Sequence, residues 1–591
     1  MQNWSMRRPS FARPSASVSP SRANLAPPRG ARVLPAIAWM VALSSASLAQ
    51  VEAVDLVLIG GKVITLDEAA PQVRGLAIRG DRIVRVGGFS ELWPLIGEET
   101  EVIDLHGKLA VPGLIEGHAH FLGIGDSAMQ LDLMSAKNWG EIIQLVAGAV
   151  KRAKPGELIR GRGWHQEKWD RSPADAIDGL PHHRSLSEVS PNNPVVLVHA
   201  SGHATFANKT AMDMCGITSE TPDPEGGELV RDSAGRPIGA FRETASGLLD
   251  AARISARQPD LGRLVELAQK ECLRKGITSF QDAGVTTRQA LALAELAQEG
   301  KLDVRLWLML RDSVNNIEHA LKGLPSRSFG DNRLSIGGVK RSIDGALGSH
   351  GAWLLQPYAD LSESAGLNTV EVSDVEACAA LCAKLKLQLC VHAIGDRANR
   401  EVLDLYERAY ALFPQAMNMR WRIEHAQHLH PDDIPRFAEL GVVASMQAVH
   451  CTSDAPWVIR RLGSERARSG AYMWRALIDS GAVVTNGTDA PVEDVDPLKS
   501  FYASVSRRLP DGSQFYPDQC MSRMEALRSY TIQAAYSAFE EDVKGSLQAG
   551  KLADITVFTR DILTCPEDEI REARVALTIV GGRVLYRGEG Q

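Results

Sequence analysis

The sequence predicts an α/β protein whose central part is a parallel sheet covered by helices. Three observations carry this prediction. Short apolar runs alternate with helix-patterned stretches between residues 276 and 486, strand pairs of similar pattern lie near both chain ends, and a long segment before residue 260 does not alternate cleanly. Alternation of strands and helices over this length is typical of parallel α/β architectures.

The central strands are short runs of apolar residues, as expected for strands buried on both faces of a parallel sheet. Between them, apolar residues recur at helical spacing. The predicted strands are Gly276–Gln281, Ser335–Lys340, Leu387–His392, Arg420–His425, Val442–Gln447 and Ala482–Asn486, and the clearest helical stretches are Leu261–Lys275, Val375–Leu385 and Ala398–Leu412.

The two ends of the chain carry the same pattern of short strands around glycine-containing turns. It occurs at Val54–Thr65 and Leu76–Val86, and again at Ala553–Phe558 and Ala576–Tyr586. We therefore expect one β-rich domain built from both ends. Its parts are predicted at 51–112 and 546–591, with a catalytic unit at 113–545 between them and an insertion at about 126–260 that covers the mouth of the sheet.

Residues 1–49 have the composition of a secretory signal peptide. They lack Asp, Glu, Lys and Cys but contain several arginines, an apolar run at Val33–Leu43 and a small-residue exit at Ser47–Ala49. The run is too short for an ordinary membrane span. The segment therefore predicts an exported, periplasmic or secreted protein with no stable membrane span after cleavage.

Bulk composition restricts the function further. The 591 residues have a net charge of -7, which gives no basic footprint for nucleic acid. The eight cysteines show no regular framework and no Cys-x-x-Cys pair, so neither a disulfide scaffold nor a thiolate zinc site is favoured. One or two disulfide bridges stay open, and so does assembly into a homo-oligomer.

Polar residues capable of binding a metal stand where the predicted strands end. His118 and His120 lie two positions apart, which places both imidazoles on one face of a strand. Four more polar residues stand at or just after the ends of other predicted strands, and a parallel barrel would gather them at one edge, where barrel active sites form. They are Lys340, His392, His425 and Asp489. Imidazole and carboxylate groups suit zinc and related ions.

The motifs around these residues resemble the amidohydrolase superfamily, specifically the metal-dependent group of amidohydrolase family 3 that includes N-substituted formamide deformylase. The resemblance runs from about Val54 to Tyr586. It rests on Pro112–His120, Gly161–Trp169, Ser201–His203, Gly338–Lys340, Asp344–Gly348, Val391–Asp396, Ile423–Gln427, Ser445–His450, Thr452–Trp457, Gly487–Val492 and Gly545–Asp554.

The resemblance implies a (β/α)8 TIM barrel with a composite β-sandwich domain and a lid-like insertion. It further implies one or two Zn²⁺ ions per chain. His118, His120 and Asp489 would hold the more buried ion, and His392 and His425 the second. Where many members carry a carboxylated lysine between two metals, this chain has Lys340, and where they have an aspartate before the first histidine pair it has Glu116, which we expect to face away from the ions.

The expected activity is hydrolysis of a non-peptide C–N bond in a small amide, formamide or cyclic amide. In this hypothesis a metal-bound hydroxide attacks the carbonyl, and Asp489 takes its proton and delivers it to the leaving nitrogen. His203 is the candidate electrophile near the oxyanion. Candidate substrate contacts are Trp164, Gln166, His450 and Trp457.

Two other functions stay open at this stage. The same metal site could act on a lactone or a carbamate, or catalyse an isomerisation, since the fold does not choose among these reactions. A secreted scaffold that has lost catalysis is a more distant alternative, although none of the candidate metal residues is missing.

Overall fold

The computed structural model describes residues 53–249, 260–323 and 328–588. The predicted signal peptide at 1–49 lies outside the described residues. The described strands are β1 (Leu56–Ile59), β2 (Lys62–Ile64), β3 (Gln72–Val73), β4 (Gly75–Arg79), β5 (Arg82–Gly87), β6 (Glu101–Asp104), β7 (Leu109–Pro112), β8 (Leu114–Ala119), β9 (Leu131–Asp132), β10 (Ile159–Trp164), β11 (Val195–His199), β12 (Ala204–Ala207), β13 (Gly227–Arg231), β14 (Pro237–Glu243), β15 (Ile277–Val285), β16 (Arg305–Leu310), β17 (Ser328–Phe329), β18 (Leu334–Ser342), β19 (Gln388–Ala393), β20 (Arg422–His425), β21 (Val443–Met446), β22 (Val484–Asn486), β23 (Ile555–Phe558), β24 (Val575–Val580) and β25 (Arg583–Arg587).

The described α-helices follow in chain order. They are α1 (Phe89–Leu92), α2 (Phe121–Ser127), α3 (Trp139–Val150), α4 (Arg184–Val189), α5 (Lys209–Cys215), α6 (Leu261–Arg274), α7 (Thr287–Gln298), α8 (Val314–Gly323), α9 (Val372–Leu385), α10 (Asp396–Leu412), α11 (Ile434–Glu439), α12 (Ala448–Leu462), α13 (Ser464–Gly470), α14 (Trp474–Asp479), α15 (Pro497–Ser506), α16 (Arg523–Ser529) and α17 (Ile532–Ser537). Short 3-10 helices occur at Trp93–Leu95, Gln166–Lys168, Thr244–Leu248, Pro414–Met419, Pro431–Asp433, Pro517–Gln519 and Glu567–Glu572.

The central sheet is a nearly closed barrel of eight parallel strands. Its order is β8–β15–β16–β18–β19–β20–β21–β22, and each neighbouring pair is parallel. The first and last strands meet at their carboxyl ends. There Asp489 N donates to His118 O at 2.8 Å and His120 N donates to Ala490 O at 2.7 Å. A side chain at Gly117 would lie 2.4 Å from Asn486 O, so this close approach requires glycine.

The prediction of a TIM-barrel-like α/β fold is confirmed, and one strand of the barrel was missed. The sequence analysis placed no strand between residues 281 and 335, but β16 (Arg305–Leu310) lies in the barrel between β15 and β18. A continuous apolar run of this length has no alternation, so periodicity alone does not separate a buried strand from part of a buried helix. The other strands differ from their predicted bounds at the ends, most at β15 (Ile277–Val285).

Strands from both chain ends pack together in two sheets. One sheet has the order β5–β4–β1–β6, and the other, β25–β24–β23–β7–β2–β3, joins C-terminal strands to N-terminal ones. A single apolar cluster includes Leu58 and Ile78 of the first sheet and Ile555 and Ile579 of the second. The two sheets therefore share one core. The residue boundaries of the domains stay predictions.

A third sheet lies in the segment between the first two barrel strands. Its order is β13–β14–β12–β11–β10–β9, and α3 and α4 pack against it around a core that includes Trp139, Trp164 and Phe206. We call residues 131–243 the insertion. Because its sheet is mixed, with both parallel and antiparallel pairs, the sequence of this segment does not alternate as the barrel does.

None of the eight cysteines is joined to another by a disulfide bridge in this structure. Among the residues described, no helix has the length and apolar character needed to cross a bilayer.

Candidate metal centre

Polar side chains from the barrel strands converge at the carboxyl edge of the sheet. His118 is near the end of β8, Lys340 is on β18, His392 on β19 and His425 at the end of β20, and Asp489 follows β22. All five are at most 7% exposed. Burying several ionisable groups together is costly unless they are paired or bind an ion, so this cluster marks a candidate metal centre.

His118, His120 and Asp489 form the first group with metal-binding geometry. Their ligand atoms lie within 4.8 Å of one another. Asp489 Oδ1 is 3.3 Å from His120 Nε2 and 3.7 Å from His118 Nε2. The buried Nε2 of His118 and Oδ1 of Asp489 have no hydrogen-bond partner within the described chain. Orphaned buried acceptors that face each other fit a bound cation.

His425, His450 and Asp489 form a second group with ligand atoms within the same distance. Gln447 Oε1 lies 2.7 Å from His425 Nδ1, and Gln427 Nε2 lies 3.0 Å from His450 Nδ1. These contacts fix both imidazole rings through one nitrogen. The other nitrogen of His450 is buried and has no partner among the described residues. The sequence analysis assigned His450 to substrate, and the structure places it within ligand range of Asp489.

His392 lies beside the second group without being part of it. Its ring centroid is 4.4 Å from that of His425. Its Nε2 is 3.4 Å from Asp344 Oδ1 and makes no hydrogen bond within the described residues. Asp344 in turn accepts backbone hydrogen bonds from Trp353, Ile394 and Gly395. Burial raises the pKa of Asp344 to about 7.

Glu424 holds the first histidine from behind. It contacts His118 Nδ1 in a very short hydrogen bond and accepts two hydrogen bonds from Arg422, at 2.7 and 3.1 Å. Both Glu424 and Arg422 are fully buried. Although burial alone would raise the pKa of Glu424, Arg422 and His118 hold it well below its ordinary value. A carboxylate behind a metal-binding histidine fixes the ring orientation and leaves Nε2 for the ion.

Glu116 joins the first barrel strand to the loop that carries Asp489. Its oxygens accept from His118 N at 3.1 Å, from Thr488 N at 2.8 Å and from Thr488 Oγ1 at 2.9 Å. These bonds hold the Glu116 carboxylate between β8 and the loop that carries Asp489. Burial raises its pKa to about 8.

Lys340 lies in the barrel interior close to these groups. It is 3% exposed and pairs across the sheet with Cys390. Burial lowers its pKa to about 8, while Glu424 and Asp489 act in the opposite direction. The lysine is thus within electrostatic reach of the ligands of the candidate centre.

The backbone is unusual at several of these residues. His425, Asp489 and Glu243 have φ values of 77°, 57° and 48°, a region that non-glycine residues rarely adopt. At His425 the left-handed conformation breaks the strand alternation, so Glu424 and His425 both reach the interior although they are neighbours. Strained backbone of this kind clusters at functional sites.

The insertion contributes His203 to the edge of the centre. Glu243 Oε2 is 2.7 Å from His203 Nδ1, and the ring centroid of His203 is 6.2 Å from that of His392. The other oxygen of Glu243 lies 3.4 Å from Ser349 Oγ, on a barrel loop. Although burial acts to lower it, hydrogen bonding and the charge of Glu243 raise the pKa of His203.

The remaining substrate candidates occupy packed positions. Trp164 is 1% exposed, and its Nε1 donates to Leu197 O at 3.0 Å, so it lies in the core of the insertion, and its assignment to substrate stays a prediction. Gln166 Oε1 is 3.1 Å from His199 Nε2. Trp457 is 7% exposed and lies against Gly348 of the same barrel loop that contacts Glu243.

Sequence reasoning missed Glu424, Gln447 and Asp344. The signal for Glu424 is its spacing from Arg422, because two residues at i and i+2 of a buried strand share one face and opposite charges there compensate each other. No comparable signal exists for Gln447 or Asp344. Their partners come from other strands.

The barrel and the histidine–carboxylate centre define a metal-dependent hydrolase. The chain matches the Amidohydrolase family over residues 101–586 and belongs to it. It is a hydrolase that acts on carbon–nitrogen bonds. This family is metal-dependent, and the two histidine–aspartate groups are candidates for holding its metal.

Three relatives illustrate the similarity. The chain is 34% identical to Protein LONG AFTER FAR-RED 3 of Arabidopsis thaliana, covering 90% of this chain and 91% of that protein. It is 28% identical to N-substituted formamide deformylase of Arthrobacter pascens, covering 91% and 99%. A crystal structure of an uncharacterized metal-dependent hydrolase from Pyrococcus horikoshii is 26% identical, with a TM-score of 0.70 and coverage of 87% and 99%.

Proposed function

We propose that this protein hydrolyses a non-peptide C–N bond in a small amide, formamide or cyclic amide. The observation that carries the proposal is the pair of buried histidine groups that share Asp489, with orphaned nitrogen and oxygen atoms facing each other. The relative named N-substituted formamide deformylase supports formamides as the first substrates to test.

One or two Zn²⁺ ions would be held by these residues. His118, His120 and Asp489 would hold the first, and His425 with His450 or His392 the second. Such ions supply activation of water at neutral pH and polarisation of the substrate carbonyl. We further propose that Lys340 is carboxylated and bridges the two positions, on the basis of its place on β18 and the resemblance of its motif.

The protein groups then have distinct roles. Asp489 is within 3.3 Å of His120 and has an unpartnered oxygen, which suits it to accept the proton of the attacking water and to pass it to the leaving nitrogen. His203 donates a hydrogen bond from Nε2 to the carbonyl oxygen in its protonated form, which Glu243 favours by accepting from Nδ1 and raising the pKa of the ring. Glu243 is a positioning residue for that ring.

Asp489→Asn tests the assignment of the proton carrier. Asn keeps one coordinating oxygen but cannot accept the proton, so kcat should fall by about 10²- to 10⁴-fold while the fold and much of the metal remain. Metal per chain is measured by elemental analysis, and formamide hydrolysis by release of formate. A variant that keeps wild-type kcat would show that another group carries the proton.

Substrate screening tests the reaction class. Metal-loaded protein, produced without residues 1–49, is offered formamides, cyclic amides, a lactone and a carbamate. Turnover of the C–N substrates supports the proposal. Turnover of the lactone alone would replace the proposed C–N hydrolysis with ester hydrolysis. Protein that binds no metal even after reconstitution would instead support a scaffold without catalysis.

Lys340→Ala separates the two metal arrangements. Loss of about one of two ions per chain supports a carboxylated bridge at Lys340. Unchanged metal content would refute the proposed bridge at Lys340 and would not affect the proposed hydrolysis.

We also propose that the protein is exported by the segment 1–49, on its composition alone. Sequencing the amino terminus of protein recovered from the periplasm or medium tests this. A protein that keeps residues 1–49 and stays inside the cell would contradict it.

A further inference from the structure

An arginine whose side chain has no partner among the described residues lies at the mouth of the barrel, outside the groups assigned above. Arg311 immediately follows β16 (Arg305–Leu310), and its backbone N donates to Val285 O at 2.8 Å, so the pairing of the sheet continues through it. Within the described chain its guanidinium makes no hydrogen bond and no ion pair, and the residue is exposed.

Strand alternation places this side chain on the inner face of the barrel. Trp307 and Met309 belong to the interior cluster with Ala283 and Cys390, whereas Leu308 and Leu310 pack on the outer helices. Since side chains two positions apart share a face, Arg311 is the next inward residue, at the carboxyl edge.

Two neighbours confirm this direction. A Cβ atom at Gly284 would lie 3.2 Å from Arg311 Cδ and 3.7 Å from Lys340 Cγ. Both long side chains therefore pass over Gly284, and the absence of a side chain there makes room for them. Arg311 thus stands beside Lys340 at the candidate centre and is exposed at the mouth of the barrel.

Among the described residues, no carboxylate pairs with this charge. Asp282, the acid on the adjacent strand, is buried and accepts from the backbone of Phe121 at 3.1 Å and of Gly284 at 3.0 Å. Arg341, on the next strand, is bonded to the backbone carbonyls of Lys340 and Asp312. A free guanidinium beside a reaction centre, with its neighbours already committed, suits an anionic group of a ligand.

We propose that Arg311 binds a carboxylate of the substrate, so that the preferred substrates are acidic amides such as N-acyl or N-formyl amino acids. This inference rests on the proposed C–N hydrolysis and names its substrate class. The planar fork of arginine matches a carboxylate with two parallel hydrogen bonds.

The test compares two formamides that differ only in the carboxylate. These are N-formylphenylalanine and N-(2-phenylethyl)formamide, offered to metal-loaded wild type, Arg311→Gln and Arg311→Lys. Wild type should show a kcat/KM at least about 10-fold higher for the acid, because a hydrogen bond to a charged group contributes about 1.5 kcal/mol or more. Arg311→Gln should remove this preference, change the neutral substrate by less than about 3-fold, and keep the wild-type metal content. Arg311→Lys should retain part of the preference.

Arg288→Gln is the matched control. Arg288 is an exposed arginine on α7, on the outside of the barrel, and its replacement should leave both substrates unchanged. Wild type that turns over both substrates equally would overturn the inference, as would Arg311→Gln that slows both alike or loses metal.

A binding measurement separates this inference from the proposed function. If metal-loaded wild type hydrolyses neither formamide, calorimetry with the same two compounds decides. Tighter binding of the acid that Arg311→Gln abolishes would support the carboxylate subsite while the proposed reaction fails. Equal binding of both compounds would overturn the subsite as well.

Discussion

Glu424→Gln removes a charge that pairs with the buried Arg422 and orients the ring of His118. The carboxylate contacts His118 Nδ1 and accepts from Arg422 Nε at 2.7 Å and from a second guanidinium nitrogen of Arg422 at 3.1 Å. Gln offers a single acceptor oxygen, and its amide nitrogen must face a donor of either Arg422 or His118. One of these contacts is therefore lost, and Arg422 keeps an uncompensated charge.

The structure sets the expected size of two effects. Removing a carboxylate that orients a metal-binding histidine weakens metal affinity by about 10- to 100-fold, which is about 1.4 to 2.8 kcal/mol. Breaking a buried ion pair costs about 3 to 5 kcal/mol of stability. We expect the lower end, because Arg422 retains Gln281, Ser445 and Gly117 O as partners.

Chelator competition measures the first effect and thermal unfolding the second. The Zn²⁺ affinity of wild type and variant is determined against a chelator of known affinity, and circular dichroism verifies that the variant is folded. Glu376→Gln is the control, since its carboxylate is half exposed and pairs with Arg408 on the surface at 2.7 Å. Exposed pairs contribute less than about 1 kcal/mol. A folded Glu424→Gln protein with wild-type Zn²⁺ affinity would refute the role of Glu424 in holding His118.

Two further predictions concern the partly exposed carboxylate of Glu243 and the buried carboxylate of Asp554. Glu243→Gln should lower kcat by about 10- to 100-fold with little change in KM or metal content in steady-state kinetics, since His203 loses its orientation. Glu243→Asp should recover part of kcat, and Glu228→Gln on β13 is the control. A parallel loss of metal in Glu243→Gln would indicate a structural role instead. Asp554→Ala should destabilise the protein by about 3 to 5 kcal/mol in denaturant unfolding, because it breaks a buried ion pair. Asp554 and Arg305 are both at most 5% exposed, and two hydrogen bonds of 2.8 and 3.0 Å join them. An unchanged midpoint of denaturant unfolding would contradict this prediction. Although burial acts to raise it, Arg305 lowers the pKa of Asp554 in the folded state, so this stabilisation is present above the ordinary pKa of aspartate and is lost as the pH falls through the lowered folded-state value.

The parts of the site that could be predicted are those with local signals. His118 and His120 share a strand, and Lys340 and His392 lie on apolar strands that the sequence marks clearly. Because the carboxyl ends of parallel strands meet at one edge, the order of the strands was not needed to bring these residues together. The confirmed fold class and family follow from the same local patterns.

The remaining parts depend on contacts between distant segments. Glu243 reaches the centre only because β14 brings it beside His203 and a barrel loop, and the insertion has no pattern that predicts this. His450 follows β21 by several residues and turns inward at the start of α12. A position after a strand end has no fixed side-chain direction, so the sequence alone assigned His450 to the substrate contacts.

The sequence by itself determined the alternating strands and helices, the strand-end residues and the kind of ligand they offer, because these depend on periodicity and residue chemistry. Only the tertiary structure decided which groups lie within bonding distance. It placed Trp164 in a core, brought Glu424 behind His118, and left the guanidinium of Arg311 without a partner in the part of the chain that is described. Distances between segments hundreds of residues apart follow from the packing of the whole chain, and no local pattern encodes them.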